Sequence, residues 1–324
     1  MVCVRSRWLA AGLLICSVVL GACGSKKEGD KSAEGKSGTS AAGNQDLDVI
    51  PLQSDLVLGI DLAQAQKSGA YREYVLPMMT RSAEVQKVTE LLKTKCQLDP
   101  MAVATRLTAG VKLANKRNLD GVVVVHGIEK AKALPCLDQV KEQLAAEHVE
   151  VTKDGDVVML KGERGELAFT FTGDSTVLVV MGGKANKEGV MEAAQAKSAL
   201  KSSKEFADMY SRIQTGHTIW YLVRGDADVL ANLLKQVNVQ AKALFGSVNL
   251  TDGLELYGQL RAESEEQATN VVDLVKAQGG MVGGMAEKFE VDRDKADVRT
   301  TVVLNQAQLK TVSGLLRSLV RGFR

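Results

Sequence analysis

Between residues 148 and 181 the chain passes through four short runs, HVEVT, DVVML, ELAFTF and TVLVVM, each rich in β-branched and apolar side chains. Runs of this kind, set a few residues apart, read as neighbouring strands of an antiparallel sheet. The same reading extends along the chain. SDLVLGIDL (54–62) predicts a strand, and Asp61-Leu62-Ala63-Gln64 a helix start with an Asx cap and Gln at N3. A long helical stretch follows to about Lys95. LTAGVKLAN (107–115) and GVVVVHGI (121–128) predict strands, and 130–147 a helix. Residues 187–214 read as helical, with Ser202-Ser203-Lys204-Glu205 as a capping box. A second round begins with the strand HTIWYLVRG (217–225) and a helix over 226–244. SVNLT and LELYGQLRA follow as strands, then a helix opened by Ser264-Glu265-Glu266-Gln267. KFEVDRD and DVRTTVVLN come next as strands, before a last helix from about Gln306. Both rounds run strand, helix, two strands, helix, two strands. A shared order is the mark of an internal repeat. The expectation is an α+β fold of two related units, 48–200 and 201–324. Each would be an antiparallel sheet with helices packed on one face, close to a ferredoxin-like layer.

The N-terminus has a different composition. Arg5 and Arg7 precede an apolar run from Trp8 to Leu20, which ends in Gly21-Ala22. About 13 residues is short of the ~20 that span a bilayer as a helix. A basic start, a short apolar run and a small-residue exit are the parts of a secretory signal peptide, here 1–22. Leu20-Gly21-Ala22-Cys23 resembles the lipobox of bacterial lipoproteins. The resemblance implies cleavage before Cys23, a diacylglyceryl group on its thiol and an acyl chain, such as palmitate, on its new amino group. Two or more acyl chains anchor stably where one binds marginally. Gly24 and Ser25 follow the cysteine, and no Asp. In Gram-negative lipoproteins that resembles the outer-membrane-sorted class. The pattern of the body is also similar to uncharacterised secreted lipoproteins with tandem α+β repeats.

Residues 23–47 supply the lipidated Cys and a Gly/Ser/Lys-rich linker whose only β-branched residue is Thr39. Such a segment lacks the apolar surface to offset the entropy of ordering, and reads as a flexible tether. Its four Lys are balanced by Glu28, Asp30, Glu34 and Asp46, so a polybasic lipid-binding reading fails. Of 41 basic residues in the whole chain, two precede Cys23, which leaves 39 against 39 acidic. That balance gives no footprint for nucleic acid.

Five cysteines are encoded. Cys3 and Cys16 leave with the signal and Cys23 carries lipid, so Cys96 and Cys136 form an even pair in an oxidising compartment. A disulfide between them is the expectation. Two buried thiols or half of a metal site are the alternatives.

Motifs for chemistry are scarce. His126, His148 and His217 share no ligand spacing, so satisfied structural histidines are expected, with no metal and no cofactor. MGGKANKEG (181–189) departs from a phosphate loop, with Ala185 where Ser or Thr belongs, and reads as a strand-to-helix turn. GGMVGGM (279–285) reads as a helix end and a turn. Arg224-Gly225-Asp226 falls at a strand end and a helix cap. Leu309, Val312, Leu316, Leu319 and Phe323 recur at helical spacing beside Lys310, Arg317, Arg321 and Arg324. This is either a basic amphipathic helix for anionic lipid or an acidic partner, or a terminal helix packed on its sheet, and the second reading is the expectation. No catalytic set is legible. The chain reads as a lipid-anchored envelope protein that is not an enzyme: a binding or scaffolding module with an envelope protein partner, in the outer membrane where the host has one. The alternative is an envelope hydrolase with dispersed catalytic residues.

Overall fold

A computed structural model describes residues 45–76, 83–113, 120–162, 165–196, 199–235 and 237–312. The signal peptide, Cys23, residues 24–44 of the linker and most of the C-terminal apolar stripe lie outside these. The chain forms two compact units that are discontinuous in sequence. An N-terminal unit takes Thr39–Ala63 and Thr80–Arg212, and a C-terminal unit takes Gln64–Met79 and Ile213–Arg324.

β1 (Leu56–Asp61) of the N-terminal unit leads into α1 (Leu62–Lys67), whose residues from Gln64 onward belong to the C-terminal unit; α2 (Ala83–Cys96), β2 (Arg106–Lys112), β3 (Asp120–His126) and α3 (Lys130–Ala146) follow in the N-terminal unit. A four-strand meander comes next: β4 (Glu150–Asp154), β5 (Val157–Gly162), β6 (Gly165–Phe171) and β7 (Thr176–Met181). Then α4 (Lys187–Gln195) and α5 (Lys204–Ser211) close the unit. The strands lie in the order β1-β2-β3-β7-β6-β5-β4, each pair antiparallel. Val140 and Leu144 of α3 pack with Val151 and Val158, and Leu91 and Leu92 of α2 join that cluster. Val177 and Leu178 are both buried although successive strand residues point opposite ways, so β7 is covered on both faces.

The C-terminal unit contains β8 (Ile219–Arg224), α6 (Asp228–Lys235), β9 (Ala241–Leu250), β10 (Leu254–Ala262), α7 (Glu265–Gly283), β11 (Lys288–Asp294) and β12 (Asp297–Leu304). Its strands run β11-β12-β10-β9-β8, again antiparallel throughout. Leu230 and Leu234 of α6 and Ala268, Val271 and Val272 of α7 pack on Leu260, Ala262, Val291 and Val298.

The two topologies coincide. In each, a strand leads to a helical excursion, a hairpin and a second helix. The chain then returns so that its last strand pairs with the second strand of the hairpin, β7 with β3 and β12 with β10. The N-terminal unit differs by one additional hairpin, β4–β5. One expected helix is corrected: 226–244 divides into α6 and the start of β9. Residues 241–244, AKAL, favour a helix by intrinsic propensity. They lie between β8 and β10 and bond to both, and that pairing wins.

Candidate functional site

A row of polar side chains crosses the N-terminal sheet. The register sets Arg106 of β2 opposite His126 of β3, and His126 opposite Thr176 of β7, so the three share one face. Thr108, two residues along β2, points the same way. A carboxylate from outside the sheet meets this row. Asp46, 6% exposed, accepts from the Thr108 hydroxyl at 2.8 Å and from His126 Nε2 at 2.9 Å, and its Oδ2 lies 3.4 Å from Arg106 Nε. The other ring nitrogen of His126, Nδ1, lies 3.2 Å from the Thr176 hydroxyl. Tyr210 of α5 stands nearby. Burial raises its hydroxyl pKa, and the charge on Asp46 adds to the shift while Arg106 opposes it.

Asp46 belongs to a strap, residues 45–55, that leads into β1. Leu47, Ile50 and Ser54 are buried, and Asp48 pairs with Lys201 at 2.8 Å. The Asp55 amide donates to Val111 O, and its carboxylate accepts from the Leu113 amide. The strap lies directly on Gly110, where a Cβ would stand 2.3 Å from Ile50 Cγ2 and 2.6 Å from Ser54 Oγ. Composition assigns Asp46 and Leu47 to the flexible linker, whereas the structure places both in the body. The signal that could have found them is the local string Asp46-Leu47-Asp48-Val49-Ile50, whose apolar residues set it apart from the Gly/Ser tract before it.

Thr176, His126 and Asp46 are hydroxyl, imidazole and carboxylate within hydrogen-bond reach, the parts of a nucleophile relay. The surroundings work against proton transfer. Arg106 Nη2 lies 2.9 Å from His126 Nε2, so taking a proton from Thr176 would create an imidazolium against a guanidinium.

The C-terminal unit fastens the equivalent row differently. Asp297, the first residue of β12, lies opposite Arg261 of β10, as Thr176 lies opposite His126. Arg261 donates from Nε and Nη2 to the two Asp297 oxygens at 2.8 and 3.0 Å, and its guanidinium lies over the buried Phe245 ring at 5.7 Å. Here the carboxylate comes from the sheet itself.

His217 forms a second polar cluster. Its Nδ1 is 3.1 Å from Ser247 Oγ, and its ring packs on Tyr257 at 5.3 Å. Burial lowers its pKa, with Glu255 opposing the shift. Asn249 accepts from Gln64 at 3.3 Å, and the Thr218 hydroxyl accepts from the Leu250 amide at 3.0 Å. Ser247 is fully buried, which closes its hydroxyl to a substrate. His148 stands exposed in a left-handed turn with φ 60°.

The remaining expected features resolve in place. Cys96 and Cys136 are disulfide-bonded with Cα atoms 5.2 Å apart. In the loop before α4, the Gly183 amide donates to Asp120 at 3.0 Å, so a carboxylate occupies the cradle that a phosphate would need. Arg224 and Asp226 of the Arg-Gly-Asp string pair with each other. GGMVGGM is a helix end and a turn, as expected: α7 runs to Gly283 and 284–285 turn, and Gly279 admits the Phe289 ring, which a Cβ would meet at 2.4 Å. Cys23 lies outside the described residues. Among the described residues, no group of three or more His, Cys, Asp or Glu could hold a metal ion, and no helix is long and apolar enough to cross a membrane.

No family model matches the chain, and no curated protein matches it in sequence. Two crystal forms of TP0453 are similar in structure. Form III is 8% identical, covering 82% of this chain and 96% of that one with a TM-score of 0.52. Form IV is 9% identical, covering 82% and 95% with a TM-score of 0.52. At such identities the likeness is one of fold: an α+β body built on antiparallel sheet.

Proposed function

We propose that the chain is a lipid-anchored protein of the cell envelope, held by acyl groups on Cys23, and that it acts as a non-enzymatic binding or scaffolding module. What supports the anchor is Leu20-Gly21-Ala22-Cys23 at the end of a short apolar run. The single observation that carries the reading into the body is the strap. Asp46 and Leu47, at the end of the linker, are seated in the N-terminal unit, so tension on the lipid reaches a fastened segment. A non-enzymatic role is supported by the guanidinium against His126 and by the burial of Ser247. In a host with two membranes, Gly24 and Ser25 favour the outer one. The partner is an envelope protein, with the membrane engaged through lipid alone.

Cys23→Ser tests the anchor. The variant should lose acylation and leave the detergent phase as an unprocessed precursor or a released protein. A variant that is still processed and detergent-soluble overturns it. Crosslinking in intact envelopes should recover a reproducible protein partner, and a failure to do so counts against the scaffolding role. Ester-probe turnover that Thr176→Val abolishes would establish the hydrolase reading instead.

A further inference from the structure

We infer that the strap is a conformational device: the N-terminal unit is complete only while residues 45–55 supply, through Asp46, a carboxylate that its own sheet lacks at the Thr176 position. The matched rows of the two units point to this. The C-terminal unit places Asp297 at the start of its returning strand, opposite Arg261, and closes the row within the sheet. The N-terminal unit has Thr176 at that place, opposite His126. Its row holds Arg106 and His126 side by side, and Asp46 reaches both from outside. Asp61 lies opposite Arg106 on β1 but is exposed, whereas Asp46 is buried between the two bases and Thr108.

Two consequences follow from charge and from shape. Without Asp46, Arg106, His126 and the Thr108 hydroxyl lose the one carboxylate that now meets all three, which is costly at a part-buried site. Without the strap, the face over Gly110 loses Leu47 and Ile50, which are 0% and 1% exposed. Displacement of the segment that leads from the linker therefore opens the N-terminal unit, while the C-terminal unit keeps its own acceptor. These contacts are independent of the lipid on Cys23, and the test below does not depend on acylation.

Native-state hydrogen exchange on the full chain separates the parts. The Asp55 amide, bonded to Val111, reports the strap, and the Thr105 amide, bonded to His126, reports the sheet row. Asp46→Ala should speed exchange at both by about tenfold or more. Adding Thr176→Asp, which copies the arrangement of Asp297, should return the Thr105 report to near its original rate and leave Asp55 fast. Thr176→Asp alone, with Asp46 in place, crowds two carboxylates and should speed Thr105. If Asp46→Ala fails to fold, recovery of folding in the double variant supports the strap's role equally. The inference is overturned if Asp46→Ala leaves both amides slow, if Thr176→Asp fails to rescue Thr105, or if neither variant folds.

Discussion

Replacing Cys96 and Cys136 together by alanine cuts the covalent link between the end of α2 and α3. The two positions are 40 residues apart in sequence. Freeing a loop of that length returns closure entropy to the unfolded chain worth ~4 kcal/mol at 25 °C. The apolar contacts of the two helices survive the change: Leu91 and Leu92 still pack with Leu134, Leu137 and Val140. The loss is therefore chiefly one of chain entropy, and the native helices should remain docked. Urea unfolding followed by far-UV circular dichroism should show a drop of ~3–5 kcal/mol. Hydrogen exchange should rise most in α2, α3, β4 and β5, the elements that share the cluster around Val140. A drop below about 1 kcal/mol would refute the entropic argument. So would an equal rise in exchange across β9 to β12.

Three further outcomes are expected. Gly110→Ala places a methyl group against Ile50 and Ser54 and should lower stability by ~1–3 kcal/mol in thermal unfolding, through overpacking beneath the strap. Asp297→Ala leaves the guanidinium of Arg261 buried without its partner and should cost ~3–5 kcal/mol, whereas Arg261→Met with Asp297→Leu should recover most of it in the same assay. The folded-state pKa of His217 lies below its ordinary 6.5 because burial disfavours the charged ring. Its contribution is then fully present above pH 6.5 and lost as pH falls through the lowered value, since the unfolded chain binds the proton first. A stability profile of His217→Gln should be flatter than that of the parent over this acidic window, and an unchanged slope would contradict the assignment.

Most strands are legible in the sequence because their pattern is local. β6 and β7 announce themselves as compact apolar runs, and β10 alternates buried and part-exposed residues along its whole length. Helix caps are equally local. Ser264 accepts from the Gln267 amide at the helix start its string marks, whereas the box read from Ser202 is shifted by one: Ser203 is the cap and accepts from the Phe206 amide. The disulfide follows from counting cysteines once those of an expected signal peptide and lipid anchor are set aside. The Asp46 site is not legible, because its members lie at 46, 106, 108, 126 and 176 and only strand register brings them together. The strand start at Ala241 escapes for the related reason that bonds to β8 and β10 outweigh a helical composition. Gln267 accepts from the Gln240 amide, a partner 27 residues away that the local string does not indicate.

The discontinuity of the units also sets a timetable for the growing chain. Gln64–Met79 emerges long before the strands it belongs with. Ser68 donates to the carbonyl of Thr251, 183 residues downstream, and must wait for that partner to be made. At ~5–20 residues per second the delay is on the order of 10–40 s. Throughout it, Ala70 and Tyr71, which end up buried, belong to a unit whose sheet has not yet been synthesised. Whatever accompanies the chain during its synthesis has to shelter that short stretch well after the N-terminal unit is complete at Arg212.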